Sequence, residues 1–132
     1  MVQIALVNEI GTPSSTTFGC GDEIQMVNRS VSTTTPLNAA INELLSVHTR
    51  NYGLSGLTSA LYQNNFTLTG VSISGNHATI NLTGSTNQDG ACDAPRIQEQ
   101  MKRTILQFPT ITSFTILLNG SAANWTSLFS GA

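Results

Sequence analysis

This chain carries little charge, few aromatic rings and no long apolar run, and each shortage excludes something. Only 9% of its 132 residues are charged and the formal net charge is −2. Such a surface has no basic footprint for a phosphate backbone or an anionic membrane, so nucleic acid is not an expected partner. No stretch approaches the ~20 apolar residues that a helix needs to cross a bilayer, and no membrane span is expected in this chain. The apolar run at residues 2–7 is short, lacks a basic start and is soon followed by Glu9, which makes it a strand and not a signal peptide. Thr17-Phe18-Gly19-Cys20 is no lipoprotein cleavage signal either, because the preceding apolar run and basic start are missing. An exported parent would carry its targeting segment upstream of this sequence.

Signatures of catalysis are equally sparse. Nothing in the sequence places His48 or His77 beside Cys20 or Cys92, so a Cys-His nucleophile has no support. Two cysteines and two histidines would suffice in number for zinc, yet neither C-x2-C nor H-x3-H spacing occurs. No catalytic residue, metal or cofactor is therefore expected. Gly19-Cys20-Gly21 is too short for a phosphate loop and precedes a strand. Asp22 and Glu23, and Asp89 with Asp93, flank the two cysteines; brought together they would make a calcium or acid–base site. The plainer reading is that Asp93 caps a helix and the others face water. Asn28, Asn65, Asn81, Asn119 and Asn124 open N-x-S/T sequons, but a sequence this rich in Ser, Thr and Asn generates such matches by chance.

What the chain does have is one pair of cysteines in a small, weakly charged domain. An even pair in that setting is most economically a cross-link made in an oxidising compartment. That places the domain outside the cytoplasm, at a cell surface or in a periplasm-like or intermembrane space. A Cys20–Cys92 disulfide would close a loop of about 70 residues, contributing about 4 kcal/mol in the chain-entropy model. Two buried thiols acting as small hydrophobes are the alternative.

Residues 2–7 read as a buried strand, followed by a Gly/Pro/Ser/Thr loop over 11–17 and a second strand through Ile24 and Met26 toward Val31. Thr35-Pro36 supplies an N-cap and a proline at the first helical position. Leu37, Ala40, Ile41, Leu44 and Leu45 then recur with helical period, predicting a helix that ends near His48. The connection to Asn65 includes a candidate helical turn over 57–61. Phe66 and Leu68 alternate, Gly70 interrupts, and Val71 and Ile73 resume out of step, as at a bulge. Ser74-Gly75-Asn76-His77 reads as a tight turn into Ala78, Ile80 and Leu82, which predicts an antiparallel hairpin. After a polar loop over 85–91, Asp93 or Ala94 caps a helix with Ile97, Met101, Thr104, Ile105 and Phe108 on one face; Pro95 is harmless in its first turn and Pro109 stops it. Phe114, Ile116 and Leu118 make a last strand. The order β-β-α-β-β-α-β predicts an α+β fold, a two-layer sandwich with two helices packed on one face of a mainly antiparallel sheet. One domain is expected over residues 1–120, with a tail over 121–132 in which Trp125, Leu128 and Phe129 dock on the core.

Taken in order, Met26-Val27-Asn28-Arg29-Ser30-Val31, Pro36-Leu37 leading to Leu44-Leu45, and Tyr52-Gly53-Leu54 resemble the first half of the GerM-type sporulation and spore germination domain (GerMN). Val71-Ser72-Ile73, the turn at Gly75, Ala78-Thr79-Ile80-Asn81-Leu82-Thr83, the Gln100 region, Gln107-Phe108-Pro109 and Phe114-Thr115-Ile116 to Asn119-Gly120 resemble the second. The resemblance spans roughly residues 2–120. One departure is Ser46-Val47-His48-Thr49, where the family often carries Gly-Pro, so the first helix is expected to run longer here. The resemblance implies a non-enzymatic extracytoplasmic module of bacterial envelope lipoproteins and sporulation proteins. Its implied partners are envelope or spore proteins, including further copies of itself, with Arg29 and Arg96 holding local geometry at the surface or in capping loops. A peptidoglycan- or glycan-binding module is the alternative, motivated by the polar surface and by Tyr52, Tyr62 and Trp125, whose rings would stack on sugars.

Overall fold

A computed structural model of the chain describes residues 1–10 and 17–129. The loop expected over 11–17 lies outside the described residues apart from Thr17, as do the last three residues of the tail. The elements run β1 (Val2–Asn8), β2 (Glu23–Arg29), α1 (Pro36–Leu45), β3 (Thr67–Ser74), β4 (His77–Thr83), α2 (Asp93–Ile105), β5 (Ser113–Leu118) and α3 (Ala122–Ser127). The α+β class holds. The strands divide into two small sheets, an antiparallel β1-β2 pair and a three-stranded β3-β4-β5 sheet. In the second sheet β3-β4 is an antiparallel hairpin, whereas β4 and β5 are parallel because α2 intervenes between them in the chain. A parallel neighbour requires such a crossover.

Local sequence explains most of these elements. Gly75 has φ +61° in the two-residue turn that joins β3 to β4, a conformation glycine adopts without steric penalty. The register shifts between Leu68 and Gly70, at the predicted bulge, and the hydroxyl of the extra residue Thr69 donates to the Asn81 carbonyl at 3.2 Å. Pro36 sits in the first turn of α1, and Leu37, Ala40, Ile41, Leu44 and Leu45 are buried. That helix stops at Leu45 and does not reach His48 or run beyond it. The Ser46 amide bonds the Asn42 carbonyl, its hydroxyl takes the Glu43 carbonyl at 2.7 Å, and Val47 turns into the core. Residues 57–61 are not helical: Thr58 forms antiparallel bridges to both Val7 and Asn51.

One hydrophobic core joins all the layers, with Ile4 and Leu6 of β1, Ile41 and Leu44 of α1, Ile80 and Leu82 of β4, Ile97, Met101 and Ile105 of α2, and Ile116 and Leu118 of β5. Trp125 of α3 is buried against Phe66 and Phe129, with ring centroids 6.1 and 5.1 Å away.

The edge of β1 facing away from β2 is closed by side chains of α2 and of the turn that follows it. Gln107 donates to the Gln3 carbonyl at 2.6 Å and accepts the Gln3 amide at 3.0 Å. One turn earlier, Thr104 accepts the Ala5 amide at 3.0 Å, and Gln100 donates to the Ala5 carbonyl at 3.1 Å. Val7 completes the edge by exchanging amide and carbonyl bonds with Thr58 at 2.8 and 2.9 Å. Gln100 and Thr104, one turn apart on the same face of α2, thus share Ala5, and Gln107 just past the helix end meets Gln3 two residues along the strand. Gln100, fully buried, also accepts the Ala60 amide at 2.9 Å and donates to Ser59 Oγ at 3.1 Å.

Replacing Gln100 by Leu keeps the volume but strands the Ala5 carbonyl and the Ala60 amide. Each unpaired buried group costs about 1–3 kcal/mol, so Gln100→Leu is expected to lower the unfolding free energy by roughly 3 kcal/mol, read as a lower urea midpoint at unchanged slope. A midpoint equal to that of the native sequence would refute the assignment.

Candidate functional site at the disulfide

The two cysteines meet. Cys20 and Cys92 form a disulfide with a Cα separation of 5.7 Å, closing a sequence separation of 72. On one side is a tight turn in which the Phe18 amide bonds the Asp22 carbonyl at 2.9 Å and the Asp22 amide returns to the Phe18 carbonyl at 3.1 Å. Gly19 adopts φ +53°, and a Cβ there would come within 2.7 Å of the Pro95 ring. The turn can therefore rest on the first turn of α2 only with glycine at this position. Cys92 stands at the N-cap of α2.

The bridge brings Asp22, two residues after Cys20, against Arg96, four residues after Cys92. Arg96 Nε and Nη2 contact the two Asp22 carboxylate oxygens at 2.8 and 3.4 Å, a bidentate pair. Its other contacts are Asp93 at 3.1 Å and Glu9 at 3.0 Å. Arg50 adds a second cation, 3.4 Å from Glu9, 3.5 Å from Asp89 and 3.7 Å from Asp93. Around them, Thr58 donates to Glu9 at 2.7 Å, Tyr62 and Gln63 donate to Asp89 at 2.6 and 2.7 Å, and the Asp89 amide donates to Asp93 at 2.8 Å.

This arrangement corrects three expectations. Asp22 does not face water: it is 1% exposed. Asp93 does not cap α2 with its side chain, which bonds Asp89 and Arg96 instead. Arg96 is buried and not at the surface. Burial opposes its charge, but the hydrogen bond and charge of Asp22, with Glu9 and Asp93, outweigh that and hold its pKa above the usual arginine value. Buried charges are tolerable when each is paired and hydrogen-bonded, and no buried side-chain polar atom among the described residues lacks a partner.

Chemically the cluster is a lock. Its thiols are joined, so neither offers a thiolate nucleophile, and each of its carboxylates already meets an arginine. Among the described residues no group of three or more His, Cys, Asp or Glu is arranged to hold a metal ion. The histidines are elsewhere. His48 is exposed, and His77 contacts Ser113 Oγ at 2.7 Å and Thr115 Oγ1 at 3.0 Å, so a hydroxyl occupies the position a triad carboxylate would need.

The rings proposed for sugar stacking are also engaged. Trp125 is a core residue. The Tyr52 hydroxyl accepts from Arg29 at 3.1 Å while the guanidinium carbon lies 6.0 Å from the ring centroid, and Arg29 is held in turn by Glu43 at 3.0 Å. Arg29 does hold a loop in place. Three sequon asparagines brace turns: Asn65 accepts the Ser85 amide, Asn119 bonds both amide and carbonyl of Gly84, and Asn124 donates to the Leu118 carbonyl. Two shallow clefts flank α2, one of about 330 Å³ lined by Ile24, Met26, Lys102 and Leu106 among others, the other of about 300 Å³ beside Phe114 and Trp125. Arg50, Glu9, Tyr62 and Gln63 carry no sequence signal for this site; only the neighbourhood of Asp22 and Asp93 to the cysteines does.

Fold and site define a disulfide-closed α+β module whose reactive side chains are tied into structure. A family model described as Germane, sporulation and spore germination, matches residues 13–124, and the chain belongs to that family. Its fold is similar to the tandem GerMN domains of the sporulation protein GerM from Bacillus subtilis, with a TM-score of 0.58 at 15% identity over 91% of this chain and 39% of that one. It is also similar to a Clostridium perfringens protein assigned as a lipoprotein, with a TM-score of 0.50 at 17% identity over 91% of this chain and 74% of that one. The chain thus spans well under half of the GerM structure. None of the curated proteins compared matches it.

Two measurements check the site. Intact mass after alkylation is expected to show neither cysteine modified without reductant and both modified with it; Cys20→Ser/Cys92→Ser is expected to lose about 4 kcal/mol of stability. Alkylation of both without reductant would contradict the bridge.

The second concerns pH. Asp89 is held below the usual carboxylate value, first by the Tyr62 hydrogen bond and then by Gln63 and Arg50. Tyr62 is pushed above the usual phenol value, chiefly by donating to Asp89. The bond therefore stabilises the fold across the range between the two ordinary values. It is lost below as pH falls through the depressed Asp89 pKa, and above as pH rises through the raised Tyr62 pKa. Absorbance titration at alkaline pH is expected to show one late tyrosine that disappears in Tyr62→Phe and returns to the ordinary range in Asp89→Asn.

Proposed function

We propose that this chain is a non-catalytic interaction and assembly module of a bacterial cell-envelope or sporulation/germination protein, working outside the cytoplasm. The observation that carries the reading is the disulfide-anchored lock around Arg96. It belongs to an oxidising compartment, and it commits to structure the thiols and carboxylates that chemistry at this site would need. Family membership points the same way, since the family is defined by sporulation and germination. No helix among the described residues is long and apolar enough to cross a membrane, so attachment to the envelope would come through other segments or partners.

A peptidoglycan-binding role has less support, because Trp125 is buried and Tyr52 lies under Arg29. Crosslinking in intact cells that express the parent protein is expected to recover envelope or spore proteins. Recovery of cytoplasmic proteins alone would overturn the reading, and co-sedimentation with purified cell wall in the absence of any protein partner would favour the glycan role.

A further inference from the structure

Among the described residues, the β1-β2 sheet has one closed edge and one edge that no strand covers. In the antiparallel register Gln3, Ala5 and Val7 lie opposite Asn28, Met26 and Ile24. The amides and carbonyls of the first three point away from β2, since they bond Gln107, Thr104, Gln100 and Thr58. Directly opposed residues of an antiparallel pair turn their backbone groups the same way, both inward or both outward. Ile24, Met26 and Asn28 therefore turn theirs outward from the far edge of β2. The Met26 carbonyl confirms the direction by accepting the exposed side chain of Gln25 at 3.3 Å. No other strand pairs with that edge among the described residues.

The strand itself carries none of the sequence defences of an edge. Natural edge strands are shortened, bulged, or interrupted by lysine or proline. β2 is seven residues long, contains neither, and runs against β1 without a register shift.

We infer that the outer edge of β2 pairs with the same edge of a second copy of this chain, in antiparallel register centred on Met26. The sequence of the strand is self-complementary about that centre. Ile24 faces Asn28 of the second copy, Met26 faces Met26, and all three outward-facing residues are used, giving about six main-chain hydrogen bonds. Sliding the register by one residue would set outward groups against inward ones. Sliding it by two loses a third of the bonds and sets like termini closer. Ile24 and Met26 also floor the larger cleft, so pairing about Met26 extends that apolar floor from one copy to the next. The isologous two-fold that results is the commonest symmetry of soluble oligomers.

The inference names one partner for the assembly role above and rests on it; the test separates their failures. A strand edge alone buries little area, so the dimer is weak by itself and is strengthened when copies are held close together. Sedimentation velocity of the intact domain from about 10 μM to about 1 mM, a range that brackets weak interfaces, is expected to show a monomer–dimer equilibrium. Met26→Pro removes only an outward amide, which an edge position tolerates. It is expected to keep the native urea midpoint and weaken association about tenfold or more. Met26→Cys is expected to form a disulfide-linked dimer under mild oxidation faster than Ser72→Cys, an exposed control on β3. If Met26→Pro unfolds, the comparison of the two cysteine variants decides. A monomer throughout the range, with Met26→Cys linking no faster than Ser72→Cys, overturns the pairing, as does undiminished association of folded Met26→Pro. If the domain stays monomeric while a photocrosslinker at position 26 in cells captures a different envelope protein, self-pairing fails and the assembly role survives.

Discussion

The fold depends on a helix that completes a strand. β1 contributes Ile4 and Leu6 to the core, yet β2 pairs with only one of its edges, and the other would bury unpaired peptide groups against α2. Gln100, Thr104 and Gln107 supply those partners. Unsatisfied backbone groups at this depth would each be expensive. By meeting them, α2 and the turn after it do the work of a third strand while Ile97, Met101 and Ile105 on the adjoining helical face fill the interior. The same side chain, Gln100, ties down the segment at Ser59 and Ala60, so a loop, a helix and a strand are fixed relative to one another at a single point.

The disulfide acts at the other end of α2. It anchors the turn before β2 to the helix start, and the ion cluster fills the space that results. Four of the seven acidic residues, Glu9, Asp22, Asp89 and Asp93, and two of the five basic ones, Arg50 and Arg96, lie there. The formal charges of these six sum to −2, which is the charge of the whole chain. Elsewhere acids and bases balance, so the rest of the surface has little long-range field with which to steer a partner. In the proposed assembly role, contacts would then rest on shape, apolar area and main-chain bonds.

How much of this was legible in the sequence follows from how far each signal reaches. Helical spacing of Leu37 to Leu45, alternation in Ala78, Ile80 and Leu82, the slip at Gly70 and the turn at Gly75 are local patterns, and all of them reappear. The end of α1 was misjudged because Ser46, an ordinary polar residue by composition, closes the helix with its own hydroxyl. The parallel pairing of β4 with β5 could not be read from alternation, which is the same in either direction. The ion cluster was half visible, since acids flank both cysteines, but Glu9 and Arg50 reach it from distant segments. Gln100 and Gln107 gave no physical signal, because polar residues on a helix ordinarily mean solvent, and nothing local says that a strand edge waits beneath them.

The covering of β1 by α2 also makes its sheet one-sided. A unit with a single accessible border can take one neighbour and no more along that direction, because the newcomer's far border is sealed by its own helix. Through this sheet, ladder growth of the kind that builds fibres, which needs two receptive borders per unit, stops after one step.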